Sequence, residues 1–478
     1  MKVAIVHSHF RRGGVTRVVE NAVAAMKRKD VECLALSGET YTGNDLPEHR
    51  LIEGLGYENT YTPGAGNALA QRLIETAPEA LGGPPDLWHI HNHSLGKNLN
   101  FPEALRTLAQ NGARLLLQIH DFAEDGRPTN YDRLSTAYPD PTTFSRSLYP
   151  AGAQIHYAAL NQRDASILSE TGIKGEQLHI LPNSVAVPQL GEAETDILPE
   201  VEELILYPTR AIRRKNVGEM LLHAALAPDG THFATSLLPD NPEWLEIHRG
   251  WEALTAELKL PAHFGLGSDY SFPALIQRAD ALITTSVAEG FGLAFLEPAL
   301  FDKPLVGRNL PEITTDFRAW GIGLENLYTE LSIPAEAIDE AKLKAKLKAA
   351  LQSNADAYNR PLPANATERA LDAARSNDGW DFGRLDEELQ SDAIRYAVKH
   401  PEAFEHAAST ITHRPSANEI AADRRAIETH LNLDHYGEQL YKIYQSILAS
   451  PIETPTALDA EAILTAFLSP ERLYLLRS

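Results

Sequence analysis

The chain has one cysteine, Cys33, among 478 residues. No intrachain disulfide can form, and a chain of this kind suits a reducing compartment, so a cytoplasmic location is expected. Positive charge is also in short supply: 43 Lys and Arg face 65 Asp and Glu, a formal net charge of −22. Such a surplus disfavours nucleic acid as the main partner and disfavours docking on anionic lipid. No apolar run approaches the ~18–20 residues of a membrane span. The run Val3-Ala4-Ile5-Val6 behind Met1-Lys2 is too short for the core of a signal peptide and reads as a first strand. Membrane association is therefore not expected. Also missing are Asp-x-Asp, Gly-x-Gly-x-x-Gly, a Walker phosphate loop, Gly-x-Ser-x-Gly and Cys-x-x-Cys. With them go one kind of divalent-metal carboxylate pair, the dinucleotide fingerprint, P-loop chemistry, the hydrolase nucleophile elbow and a dithiol redox motif.

What is present is ordinary for a globular chain, 43% apolar and 23% charged. Short apolar runs alternate with helical patterns. Strands are expected over 3–7, 31–36, 87–91, 114–119, 155–160 and 178–181, with helices over 15–26 and 102–110 between them. Residues 121–151 read as a long insertion without regular structure of its own. An acidic, apolar-poor stretch over 188–199 reads as a linker. The alternation then restarts, with strands at 204–207, 231–237, 262–266, 281–285 and 304–307. Near-continuous apolar strands separated by helices indicate parallel sheets covered on both faces. The fold class is α/β: two doubly wound, Rossmann-like domains, 1–190 and 198–435, facing across a cleft. The region from 338 onward reads as mainly helical, with 436–478 packing back onto the first domain.

Ligands of open parallel sheets bind beyond the C-terminal strand ends, and the chemistry-bearing residues fall there. Ala288-Glu289-Gly290-Phe291-Gly292-Leu293-Ala294-Phe295-Leu296-Glu297 follows a strand and opens an apolar helix expected over 293–301. Unpaired first-turn amides beside glycines make an anion cradle, and the two flanking carboxylates suit sugar hydroxyls. Gly13-Gly14 before the first helix forms a second cradle. Arg210 to Lys215 places four cations within six residues at a strand exit, where Arg210 and Lys215 can grip phosphate. His89-Ile90-His91-Asn92-His93 alternates histidines along a strand. These histidines are either a metal pair or a packed His89 with His91, Asn92 and His93 as polar groups lining the cleft. In His120-Asp121, at the next strand exit, Asp121 either supports the imidazole or belongs only to the turn.

Together these residues resemble the retaining, family 4-like glycosyltransferases of GT-B fold. The resemblance rests on Glu289 and Glu297 in Glu-Gly-Phe-Gly-Leu-x-x-x-Glu, on Arg210 with Lys215-Asn216, on Gly13-Gly14 and on His120. It implies a nucleotide-sugar donor, a hydroxyl acceptor, and no cofactor or metal. Arg210 and Lys215 would hold the departing diphosphate, and Glu297 the ribose. Glu289, Gly290 and the amides of Phe291, Gly292 and Leu293 would meet the donor hexose, and His120 its reacting carbon. Gly14 would let the first-domain backbone approach the phosphates. His91, Asn92, His93 and Asp121 fall on the acceptor side. The chain departs from the family at Pro298, which would kink the helix over 293–301, and at Gly307-Arg308, where the family has two glycines. The competing readings are a metal-dependent hydrolase built on His89, His91 and His93, and an inactive sugar-nucleotide-binding protein of the same fold.

Overall fold

The computed structural model describes residues 1–187, 191, 197–239, 241–377 and 379–477. The chain divides into two compact units. The first holds Met1–Ala186, Ala357–Arg360 and Thr429–Leu468; the second holds Val187–Asp356, Pro361–Glu428 and Ser469–Ser478. Most of the linker expected at 188–199 lies outside the described residues.

The first unit is built on a parallel sheet of seven strands: β1 (Lys2–Val6), β2 (Glu32–Ser37), β3 (His49–Leu51), β4 (Leu87–His91), β5 (Leu115–Ile119), β6 (Ile155–Ala159) and β7 (Leu178–Ile180). Their order is β3-β2-β1-β4-β5-β6-β7. Alternate residues of a strand face opposite sides, and β1 shows the consequence. Ala4 and Val6 join a core with the helix Ala65–Leu81, through Leu69, Ala70 and Leu73. Val3 and Ile5 join a second core with the helices Gly14–Lys27 and Leu433–Ala449. The latter helix buries Tyr436, Leu440, Ile443, Tyr444 and Ile447, a stripe at helical spacing. Residues 121–151 differ from expectation. They form two short helices, Pro128–Ala137 and Pro141–Leu148, each opened by a proline whose missing N–H costs nothing there. Asp140 caps the second by accepting from the Thr143 N–H at 2.8 Å. Tyr131, Leu134, Phe144 and Leu148 carry both helices into the first core.

The second unit has a five-stranded parallel sheet of β8 (Glu203–Arg210), β9 (Thr231–Leu237), β10 (Ala262–His263), β11 (Ala281–Thr284) and β12 (Leu305–Gly307), in the order β10-β9-β8-β11-β12. The helices Glu340–Ala357, Ala366–Ala373, Glu387–Lys399 and Ala417–His430 follow. Among them lies a small antiparallel sheet, Ser332–Pro334, Gly379–Asp381 and Arg375–Ser376, which the helical reading of this region lacked. The expected return of 436–478 to the first unit ends at Leu468. Leu473 and Leu475 instead join the core of the second unit, and Glu471 pairs with Arg369 at 2.5 Å. No helix among the described residues is long and apolar enough to cross a membrane.

In each sheet the strand order reverses once, between β1 and β4 and between β8 and β11. A crevice opens at such a point because the flanking connections leave to opposite faces.

Candidate functional site

In the second unit the loops leaving β8 and β11 are stitched together. The Val287 N–H donates to the Arg214 carbonyl at 2.9 Å. Thr285 donates its hydroxyl to the Lys215 and Asn216 carbonyls at 3.0 and 2.9 Å, and Ser286 to the Arg214 carbonyl at 3.2 Å. Each such bond contributes ~1 kcal/mol, and together they fix a cationic loop against an acidic one. Asn216 adopts a left-handed conformation, φ 53°, which asparagine tolerates. Its side chain donates to Thr285 O at 3.1 Å and to Glu219 at 2.8 Å.

This framework brings Lys215, Glu289, Leu293 and Glu297 to one open cavity of about 590 Å³, whose lining includes Thr209 and Pro298. Lys215 is paired with Glu289, and Arg214 donates to the same carboxylate at 3.1 Å and to Ala288 O at 2.7 Å. Burial works to raise the Glu289 carboxyl, but the charges of Lys215 and Arg214 outweigh it and hold the group below the usual range. Burial pushes the Glu297 carboxyl up, with Lys215 opposing. The two glutamates of the motif thus differ: Glu289 is locked between two cations, and Glu297 lines the cavity with no hydrogen bond to its carboxylate among the described residues. Arg210 ends β8 as an exposed residue outside that lining. Arg213 is committed elsewhere, to Glu387 at 2.6 Å and Leu475 O at 3.0 Å.

The motif's helix differs from expectation. A 3₁₀ turn, Leu293–Phe295, is followed by a helix of only four residues, Glu297–Leu300. Pro298 therefore stands in the first turn, where it breaks no hydrogen bond and makes no kink. So short a helix adds little dipole, and the positive potential comes from Lys215 and Arg214. The Phe291 ring is buried against Phe317 at 5.8 Å, leaving its backbone as the part that can meet a ligand. Gly290 has open space where a Cβ would be.

In the first unit Gly13 caps the helix Gly14–Lys27, and a Cβ on Gly14 would meet nothing within 4 Å. Asn92, at φ 52°, accepts the backbone N–H groups of His120 and Asp121 at 2.8 and 3.1 Å, so it ties the exits of β4 and β5 together. His120 contacts His91, Nε2 to Nδ1, at 2.9 Å. Asp121 pairs with Arg127 at 2.6 Å, so it serves the loop and not the imidazole. Burial lowers His120 to about 3 and His89 and His93 each to about 4, so these rings are neutral hydrogen-bonding groups near pH 7. His89 uses both nitrogens, on Tyr444 Oη at 2.8 Å and Gln118 Oε1 at 2.9 Å. His93 Nε2 donates to Leu148 O at 2.8 Å. His91 and His93 are buried where cleft-lining positions were expected. Among the described residues no group of three or more His, Cys, Asp and Glu side chains could hold a metal ion. The hydrolase reading thus has no ligand set there.

Arg214, Ser286 and Tyr444 were missed from the sequence. Arg214 stood in the cationic run without a role, and Tyr444 lies 355 residues from His89.

A parallel sheet with cradles at the exits of its switch-point strands, present twice in one chain, defines the GT-B architecture. In fold the chain is similar to the GT-B glycosyltransferases. It is 30% identical over 350 residues to the mannosylglucosyl-3-phosphoglycerate synthase of Petrotoga mobilis, a match covering 66% of this chain and 66% of that protein, just under two thirds of each. Among solved structures, Anabaena HepE in complex with UDP-glucose matches with a TM-score of 0.52 at 12% identity, over 93% of this chain and 100% of HepE. A glycosyltransferase from Rickettsia africae matches with a TM-score of 0.53 at 14% identity, over 94% of this chain and 98% of that one. No protein-family model matches the chain.

Proposed function

We propose that the protein moves a hexose from a nucleoside diphosphate sugar to a hydroxyl of a soluble carbohydrate or small molecule, retaining anomeric configuration and using no metal ion. The observation that carries this reading is the cavity where Lys215 and Glu289 meet Glu297 at the exits of β8 and β11. Breaking a sugar–phosphate bond leaves charge on the departing diphosphate. Lys215 and Arg210 would stabilise that charge, Glu289 would keep Lys215 in place and engage the hexose, and Glu297 would accept ribose hydroxyls. The anomeric C–O bond to phosphate breaks as the acceptor oxygen bonds to the same face. The hydroxyl proton passes to the departing phosphate oxygen. Neutral His120 suits a hydrogen bond to the sugar rather than proton delivery.

The Petrotoga relative's name, with a sugar-bearing phosphoglycerate as product, supports a soluble acceptor. A single cysteine and the lack of a membrane-length helix among the described residues support a cytoplasmic setting. The test is thermal melting with UDP, GDP and their hexose derivatives, since a ligand that binds only the native state raises the midpoint. Diphosphate release is then measured with and without EDTA. No shift with any of them, and no diphosphate released, would sink the reading; full loss with EDTA would sink its metal-independent part.

A further inference from the structure

Tyr57 is an aromatic ring left 46% exposed on the first unit and flanked by two cations. The Arg11 guanidinium carbon lies 5.9 Å from the ring centroid and Lys97 Nζ 5.7 Å from it, while His9 Nε2 is 2.9 Å from the phenol oxygen. Three segments meet here: the loop leaving β1, the segment after β3, and the loop leaving β4. Their meeting is built into the backbone. The Glu58 N–H donates to Lys97 O and the Leu99 N–H to Glu58 O, both at 2.9 Å. Buried Asn98 donates to Gly54 O at 2.8 Å and Gly56 O at 2.5 Å. Ring and ammonium are thus held in register before any ligand arrives.

Arg11 sits in a carboxylate pair, bonded to Glu39 at 2.6 and 2.5 Å. Among the described residues no carboxylate pairs with Lys97. The half-exposed ring offers apolar surface to the C–H face of a sugar, and the ammonium over it takes an anionic oxygen. The platform also connects to the sheet exits. The rings of Tyr57, His9, His7, His91 and His120 follow one another at centroid distances of 4.9, 5.4, 6.4 and 5.2 Å.

We infer that the Arg11–Tyr57–Lys97 cluster binds the acidic group of the acceptor, so that the acceptor class is a sugar carrying a phosphate or a carboxylate. This rests on the glycosyltransferase reading for the word acceptor, but its test needs no turnover. Calorimetric titration of the full chain with glucose, glucose 6-phosphate and glucuronate separates a neutral sugar from the two acids. At least one acid is expected to bind about tenfold more tightly than glucose, a difference of ~1.4 kcal/mol, and the stronger of the two identifies the acid. Lys97→Gln is expected to reduce that preference to below about threefold, and Tyr57→Leu to weaken all three sugars together. Equal binding of the three sugars, no binding of either acid at millimolar concentration, or an acid preference unchanged in Lys97→Gln would overturn the assignment. Acid binding without any transfer from nucleotide-sugars would leave this site standing and count against the proposed reaction alone.

Discussion

Arg308 donates to both carboxylate oxygens of Glu219, Nε at 2.9 Å and Nη2 at 2.6 Å, in a fully buried pair. Asp381 accepts from Nη1 at 3.2 Å and Nη2 at 2.7 Å, and the Thr329 carbonyl accepts from Nη1 at 3.0 Å. Glu219 in turn accepts from Asn216, the residue after Lys215, and from the Tyr328 hydroxyl at 2.7 Å. One buried network therefore joins the exit of β12, the helix Val217–Leu226 and the small antiparallel sheet to the cationic loop. Arg308→Met leaves two buried carboxylates without their cation, a loss of ~3–5 kcal/mol. Urea denaturation reads it. A loss under ~1 kcal/mol would show that the network carries little. Arg308→Lys should rescue poorly, because an ammonium lacks the planar fork that serves Glu219 and Asp381 at once.

Two glycines of the motifs separate by what a methyl group would meet. Gly292 has φ 93°, and a Cβ there would come within 2.7 Å of Ile313 Cγ2. Gly292→Ala is expected to destabilise the protein by ~1–3 kcal/mol. Gly14 has open space at the same position. Gly14→Ala should keep stability within ~0.5 kcal/mol and lower kcat/KM about tenfold or more, or ~1.4 kcal/mol. Melting curves and steady-state kinetics on both variants check the contrast. Wild-type turnover in Gly14→Ala would remove that glycine from the site.

The parallel strands were readable because buried strands are apolar along their length. What sequence could not supply was pairing over long separations. Asp121 looks like the partner of adjacent His120, yet geometry gives it Arg127 and gives His120 to His91. Lys215 and Glu289 appeared as separate ligand contacts, but 74 residues of sequence separation hid their ion pair. Pro298 looked like a fault inside a helix because the 3₁₀ turn before it leaves no trace in apolar periodicity. The two helices within 121–151 were obscured by their prolines, which open helices as readily as they break them.

Removing Lys215 tests the charge argument of the site. Lys215→Ala is expected to cut kcat/KM at least ~100-fold, in the range seen when one preorganised donor to a developing anion is removed. The Glu289 carboxyl keeps Arg214 at 3.1 Å, so the folded state should lose far less. Arg210→Ala, at an exposed strand end, should lower turnover with still less effect on melting. Near-wild-type transfer by either variant would defeat its assignment.

The histidine-rich exits of β1, β4 and β5 make stability sensitive to acid. Burial lowers His7, His89 and His93 to about 4 and His120 to about 3. Below the unfolded value of ~6.5 the unfolded chain takes up protons that the folded chain refuses. Stability therefore falls as pH drops below that value, and the loss continues until the folded pKa values are reached. Between pH ~6.5 and ~5 each buried ring contributes up to ~2 kcal/mol of loss. Glu124 acts in the opposite sense. Burial raises its carboxyl to about 7, which destabilises the fold as pH rises from the usual carboxylate range to that value. Burial raises Asp423 to about 6 and also raises Glu219 and Glu297, but His91, His179 and His223 are lowered in the same way as the four rings, and the histidines stay in control. Urea midpoints measured from pH 7.5 to 5 should fall steadily. His89→Gln, which keeps polar atoms near Tyr444 and Gln118, should flatten the slope by about one proton's worth. A midpoint independent of pH over that interval would mean that these rings are not neutral in the fold.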